Sequence, residues 1–208
     1  MKNQQQLFIV LALTIGLFSC STNIPMATTL KNDIVYFLEV NDSIPVTFSM
    51  ENQVPEGSFF QYEKEVGTTL MPVEDELVFN EYVVLDQMMK DFMRYRFTRD
   101  SASAPTQIRI ALKSVTISSE VTENDNVTSV NSLLFIPDTR LYTAEVQVEV
   151  TIIHTGQTVR RNIYGKGNAL KESFRKTRGD VNAFSGVLNQ ANNRVVYFTN
   201  QFLKDLGL

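Results

Sequence analysis

From residue 142 to residue 152 the chain alternates without a break. Tyr142, Ala144, Val146, Val148, Val150 and Ile152 hold one parity; Thr143, Glu145, Gln147, Glu149 and Thr151 hold the other. Successive side chains leave a β-strand on opposite faces, so the stretch predicts a strand with one apolar and one polar face. Such a strand belongs to a sheet covered on one side only, the usual pattern of antiparallel sheets. Each fully buried Val or Ile contributes about 1.5–3 kcal/mol. A one-residue slip would turn all of them into water. This strand therefore sets the register for whatever is built around it.

Its neighbours can be read outward. His154, Thr155, Gly156 and Gln157 form a hairpin-turn signal. Val159, Arg161 and Ile163 begin a return strand, expected to end near Gly165, Lys166 and Gly167. Upstream of the central strand, Ile108, Ile110 and Leu112 share a face. The apolar phase then slips to Val115 and Ile117, which predicts a bulge near Lys113 and Ser114. Alternation also predicts strands over residues 33–40 and 44–50, a shorter one over 59–66 and an apolar edge piece over 133–137.

Two helices complete the pattern. The first is expected to begin near Glu74, Asp75 and Glu76, which suit the positive end of a helix dipole, with Arg94, Arg96 and Arg99 at its far end. Val78, Tyr82, Leu85, Met88, Met89 and Phe92 recur at helical spacing and give it one apolar face. Met88 and Met89 are read as core against the sheet. Residues 168–179 read as a basic, irregular loop, after which Asp180 is placed to cap the second helix. Phe184, Leu188, Ala191, Val195, Phe198, Phe202 and Leu206 then step by three or four residues, and Gly207 ends the run. Two amphipathic helices over one face of an antiparallel sheet make a two-layer α+β sandwich.

The amino-terminal segment differs from the rest. Lys2 precedes an apolar run from Leu7 to Phe18, broken only by Thr14 and Gly16, and Ser19 and Cys20 follow. The run is too short to cross a bilayer comfortably, which takes about 20 residues. It has the parts of a secretory signal, with cleavage between Ser19 and Cys20. The expected organisation is a signal peptide over 1–19, a cysteine and tether over 20–32, and one α+β domain over 33–208.

Composition narrows the chemistry. A formal net charge of −4 and a pI of about 5.1 leave no electrostatic footprint for nucleic acid. The 208 residues contain one cysteine and one histidine. A nucleophile–histidine device and a zinc site of several His or Cys ligands are therefore out of reach. His154 is read as an exposed turn residue without a catalytic role. The acidic run from Glu120 to Asp125 lacks the spacing of a calcium loop. Gly165-Lys166-Gly167 lacks that of a phosphate-binding loop. No cofactor or metal is expected, and no catalytic residue is assigned. One segregation of charge stands out: Arg160, Arg161, Lys166, Lys171, Arg175, Lys176 and Arg178, interrupted by Glu172 alone. On a net-acidic protein it could dock an acidic partner or anionic headgroups, or it could be a solvated strand edge that deters edge pairing.

Leu17-Phe18-Ser19-Cys20 resembles the lipobox of bacterial lipoproteins. The resemblance implies a diacylglycerol on the Cys20 thiol, cleavage before it and acylation of the new amine. Ser21, where an Asp would favour retention in the inner membrane, implies the outer membrane with the domain facing the periplasm. The second half resembles the YajG-type lipoproteins. The likeness rests on Gln107-Ile108-Arg109-Ile110, on Thr143 to Val148 leading into Thr155-Gly156-Gln157, on Arg160-Arg161-Asn162 with Tyr164, and on Val187-Leu188-Asn189. More distantly, the layout resembles auxiliary lipoproteins of ABC-type lipid transport systems. Together these imply a non-enzymatic, lipid-anchored envelope protein with the membrane and an envelope protein as partners. Two other readings stay open. One is a lipid-handling accessory with a groove between helix and sheet; the other is a carboxylate-based hydrolase, marked by two carboxylates in one cleft.

Overall fold

The structure is a computed structural model that describes residues 21–23, 44–54, 60–64, 73–78, 80–97, 104–121, 138–173 and 177–208. In chain order the strands are β1 (Ser21–Asn23), β2 (Val46–Asn52), β3 (Phe60–Lys64), β4 (Val73–Val78), β5 (Thr106–Val121), β6 (Asp138–His154) and β7 (Gln157–Ser173). Helix α1 (Glu81–Arg96) lies between β4 and β5, and α2 (Thr177–Asp205) follows β7. The expected strands over 33–40 and 133–137 fall outside the described residues.

The principal sheet has four strands in the order β2-β5-β6-β7. The alternating strand is central and sets the register as its sequence requires: Tyr142, Ala144, Val146, Val148, Val150 and Ile152 are all at most 1% exposed. Its hairpin to β7 turns through Thr155 and Gly156, both at positive φ, as a two-residue turn matched to strand twist demands. In β5 the pairing with β6 shifts between Leu112 and Ser114. Lys113 is the extra residue, and the shift returns Val115 and Ile117 to the apolar side.

The sheet is mixed rather than wholly antiparallel. β2 pairs in parallel with β5, Val46 opposite Thr106 through Asn52 opposite Leu112. A parallel pair needs a long crossover, and the segment carrying α1 supplies it. A second, three-stranded sheet has the order β1-β4-β3. Ser21–Asn23, within the segment expected to be a tether, pairs in parallel with Glu76–Val78.

Helix α1 starts seven residues later than the acidic run suggests. Glu74, Asp75 and Glu76 lie in β4, paired with β3. The start is fixed by Asn80, whose side chain accepts from the Val83 N–H at 3.2 Å, a strong N-cap interaction. Leu85, Met88, Met89 and Phe92 are fully buried, and Tyr82 donates to the Met50 carbonyl at 3.2 Å. Helix α2 begins at Thr177, so Asp180 lies inside its first turn rather than at its cap. It lies over β6 and β7. It ends in paired hydrogen bonds, Gly207 N to Lys204 O and Leu208 N to Leu203 O, with Gly207 left-handed.

Strand β7 continues past the two glycines at which it was expected to stop. A Cβ on Gly165 would stand 2.7 Å from Val195 Cγ2, and one on Gly167 would stand 2.7 Å from the Val187 carbonyl carbon. These glycines let α2 settle directly on the strand. Both helices share one apolar core with the same face of the sheet, which gives the two-layer α+β arrangement.

Candidate functional site

The face of the sheet turned away from the helices carries the polar parity of every strand. Cross-strand pairing arranges it in rows. Ser49, Arg109, Thr151 and Arg160 form one row across β2, β5, β6 and β7. The next contains Glu51, Ala111, Glu149 and Asn162. Between the rows lies a cleft of ≈ 200 Å³. Its origin is a contrast of side-chain size: Ser49, Ala111 and Thr151 make a low floor, and the long arms of Arg109, Arg160, Glu51 and Glu149 rise around it.

The two rows differ in how their polar groups are engaged. In the acidic row, Glu51 accepts from Gln53 Nε2 at 3.1 Å. Lys113, displaced by the bulge, donates to Gln53 Oε1 at 2.6 Å and lies 3.6 Å from Glu149. In the other row, Arg109 meets, among the described residues, only the neutral Gln107 amide, at 2.9 Å. Among the described residues the side chains of Ser49, Thr151 and Arg160 have no hydrogen-bond or ion-pair partner. Farther along, Ser114, Gln147 and Tyr164 are joined by hydrogen bonds of 3.3 and 3.1 Å.

Strand alternation divides the basic run seen in the sequence. Arg160 and Lys166 are on the open face. Arg161 and Lys171 are on the helix side, opposite Val150 and Arg140. Arg161 is held there, 3.1 Å from Asp205 and 5.0 Å from the centroid of the Phe202 ring. Arg175 and Lys176 lie outside the described residues, and Arg178 lies in the first turn of α2. Sequence reading missed Arg109 as a companion of Arg160, because 51 positions separate them and only the pairing of β5, β6 and β7 brings them together. Cys20 and Ser19 are outside the described residues. His154 is the last residue of β6, half-buried rather than exposed, and shares a 2.7 Å hydrogen bond with the buried Thr106 hydroxyl. Among the described residues no three metal-ligating side chains gather.

Beneath the sheet, the helix interface holds polar groups of its own. Arg96 is 2% exposed; it donates to Asn200 Oδ1 at 2.7 Å and to the main-chain oxygen of Leu208. At the other end of α1, the Glu81 carboxyl group is buried beside Asn192 of α2, and neither side chain completes a hydrogen bond. Desolvation drives the Glu81 carboxyl up to about 8, opposed weakly by the Asn192 amide.

No family model matches the chain, and no curated protein matches it. Among solved structures, rare lipoprotein B from Shewanella oneidensis is similar with a TM-score of 0.41 at 11% identity, over 78% of this chain and 99% of that one. A minor lipoprotein from Acinetobacter baumannii is similar with a TM-score of 0.41 at 8% identity, over 78% and 96%. Likenesses of this depth carry no functional assignment.

Proposed function

We propose that this chain is a lipid-anchored envelope lipoprotein whose α+β domain is a non-enzymatic binding module at the outer membrane, facing the periplasm. The observation that carries the reading is Leu17-Phe18-Ser19-Cys20, with the protein's only thiol at the end of its apolar leader. The domain supports it in a second way. Most of its apolar side chains are spent between helices and sheet, and a broad, mainly polar sheet face is left for a partner. Arg160 and Lys166, on that face, serve as contacts for an acidic partner. Arg175, Lys176 and Arg178, next in sequence, extend the same basic run. A single acyl chain holds a protein only marginally; three chains on Cys20 would hold it permanently.

The other two readings meet physical objections. An acyl-binding accessory needs a groove between helix and sheet, yet Leu85, Phe92, Val148, Phe184 and Leu188 fill that layer to at most 1% exposure. A carboxylate hydrolase needs one acid kept neutral by a dry site. Glu51 and Glu149 share the cleft, but Glu51 is exposed and Glu149 is paired with Lys113.

Metabolic labelling with radioactive palmitate tests the reading. The natural protein is expected to take up label and the Cys20→Ala form to take up none. An unlabelled natural protein overturns it. Reversing Arg175, Lys176 and Arg178 to Glu is expected to abolish co-purification of the protein partner at low salt.

A further inference from the structure

We infer that the row Ser49-Arg109-Thr151-Arg160 is a binding site for a phosphoryl group whose ester carries an ammonium, the chemistry of phosphoethanolamine. The inference rests on the reading of the open face as the binding surface, and it does not need the lipid anchor.

The row supplies the donors. Two guanidiniums alternate with two hydroxyls, one from each of four adjacent strands. Neighbouring strands are about 4.8 Å apart, so Arg109 and Arg160 stand roughly 9.6 Å apart at the backbone, with Thr151 between them. That separation is within reach of two arginine arms closing on one tetrahedral anion from opposite sides. Guanidinium forks match phosphate oxygens with paired charge-assisted hydrogen bonds. Neither arginine is already neutralised by a carboxylate among the described residues, and the hydroxyl of Thr151 is unspent at the centre.

The adjoining row supplies the selectivity. Glu51 and Glu149 lie one pleat repeat away, roughly 7 Å along the strands. They bar a second phosphate on that side and attract a cation. Lys113 already offsets Glu149 at 3.6 Å, which leaves Glu51, bonded among the described residues only to the neutral Gln53, as the principal acceptor for an ammonium. A bare dianion gains from the first row alone; a phosphoryl ester with an ammonium gains from both. The small floor residue Ala111 leaves room for the linker between the two charges.

Isothermal titration of the full-length protein in a nonionic detergent tests this. The probes are O-phosphoethanolamine, inorganic phosphate, and dihexanoyl-phosphatidylethanolamine below its micelle threshold. O-phosphoethanolamine or its diacyl form is expected to bind at least about tenfold more tightly than inorganic phosphate. Arg109→Ala or Arg160→Ala alone is expected to weaken binding about tenfold, and the double substitution to abolish it. Both positions are exposed, so the variants are expected to keep the parent's thermal midpoint, measured alongside. Glu51→Gln is expected to erase the preference over inorganic phosphate while leaving phosphate binding in place. Tighter binding of the monoester marks a soluble ligand, and tighter binding of the diacyl form marks a lipid headgroup. Absence of binding by all three probes, or full affinity in the double variant, overturns the inference. Equal affinity for phosphate and its ammonium ester overturns the role of the acidic row. Palmitate incorporation at Cys20 is unaffected by any of these results, so failure here and failure of the anchor are told apart.

Discussion

At position 81 a carboxylic acid sits where water does not reach it. The cost of charging it there raises its pKa from 4.5 to about 8. In the unfolded chain the same group ionises near its ordinary value. Between those two values the folded protein holds a proton that the unfolded chain has released. Stability must therefore fall as pH rises across that window, by up to about 1.4 kcal/mol per pH unit from this one group. Glu81→Gln keeps the shape and removes the titration. Urea unfolding at pH 5, 6, 7 and 8 is expected to show a declining curve for the natural protein and a flatter one for the variant, which becomes the more stable of the two at pH 8. Parallel curves would mean the group is solvated. A second residue-scale test concerns close approach. Gly165→Ala and Gly167→Ala each place a methyl group against helix backbone or Val195. Overpacking of this kind costs about 1–3 kcal/mol, and each variant should melt several degrees lower.

Among the elements, β5 is the one whose behaviour follows most directly from a single irregularity. Without Lys113 as the unpaired residue, Ile108, Ile110 and Leu112 would be in phase with Ser114 and Thr116 rather than with Val115 and Ile117. Deleting Lys113 should leave Leu112 opposite Val148 and Ser114 opposite Gln147 in an unbulged ladder, with Val115 and Ile117 still on the apolar side. The expected result is retained cooperative unfolding, with only the contacts of Lys113 to Gln53 and Glu149 lost. A variant that loses cooperative unfolding would show that the local twist of the bulge, and not the apolar phase alone, holds the strand in place. This bulge, the central strand and most of each helix's apolar stripe were legible in the sequence because each is written in local periodicity; of the residues assigned to those stripes, Val78 falls in β4, and Phe198 and Leu206 are 44% and 37% exposed. Other features were not. The start of α1 was obscured because an acidic run favours a helix start by charge alone, while the Asn80 cap acts through one short hydrogen bond. The length of β7 was obscured because Gly165 and Gly167 punctuate a strand in isolation, and only contact with α2 shows why they are there. The parallel pairing of β2 with β5 has no local signature, since the partners are 60 residues apart. The cleft was illegible for the same reason: Arg109 and Arg160 become neighbours only through register.

Considered whole, the molecule separates its tasks by layer. The buried layer between helices and sheet carries stability, the outer face of the sheet carries the recognition chemistry, and the proposed anchor lies at Cys20, beside β1. Among the described residues the core runs from Val46 to Leu208. Anchoring and folding should therefore be separable. On the proposed reading, Cys20→Ala moves the protein from the membrane pellet to the soluble fraction without changing its stability. Its thermal midpoint, measured in the same detergent as the natural form, is expected to stay within about 2 °C, because Cys20 is not among the described core residues, and a shift of that size corresponds to about 0.5–1 kcal/mol. Binding of O-phosphoethanolamine should survive in the soluble form, since the cleft is built by β2, β5, β6 and β7 alone. If the soluble form melts much lower, the leader-proximal strand β1 and its lipid contribute to the fold. The layers are then coupled, and the outer face must be regarded as organised by the membrane rather than by the sheet.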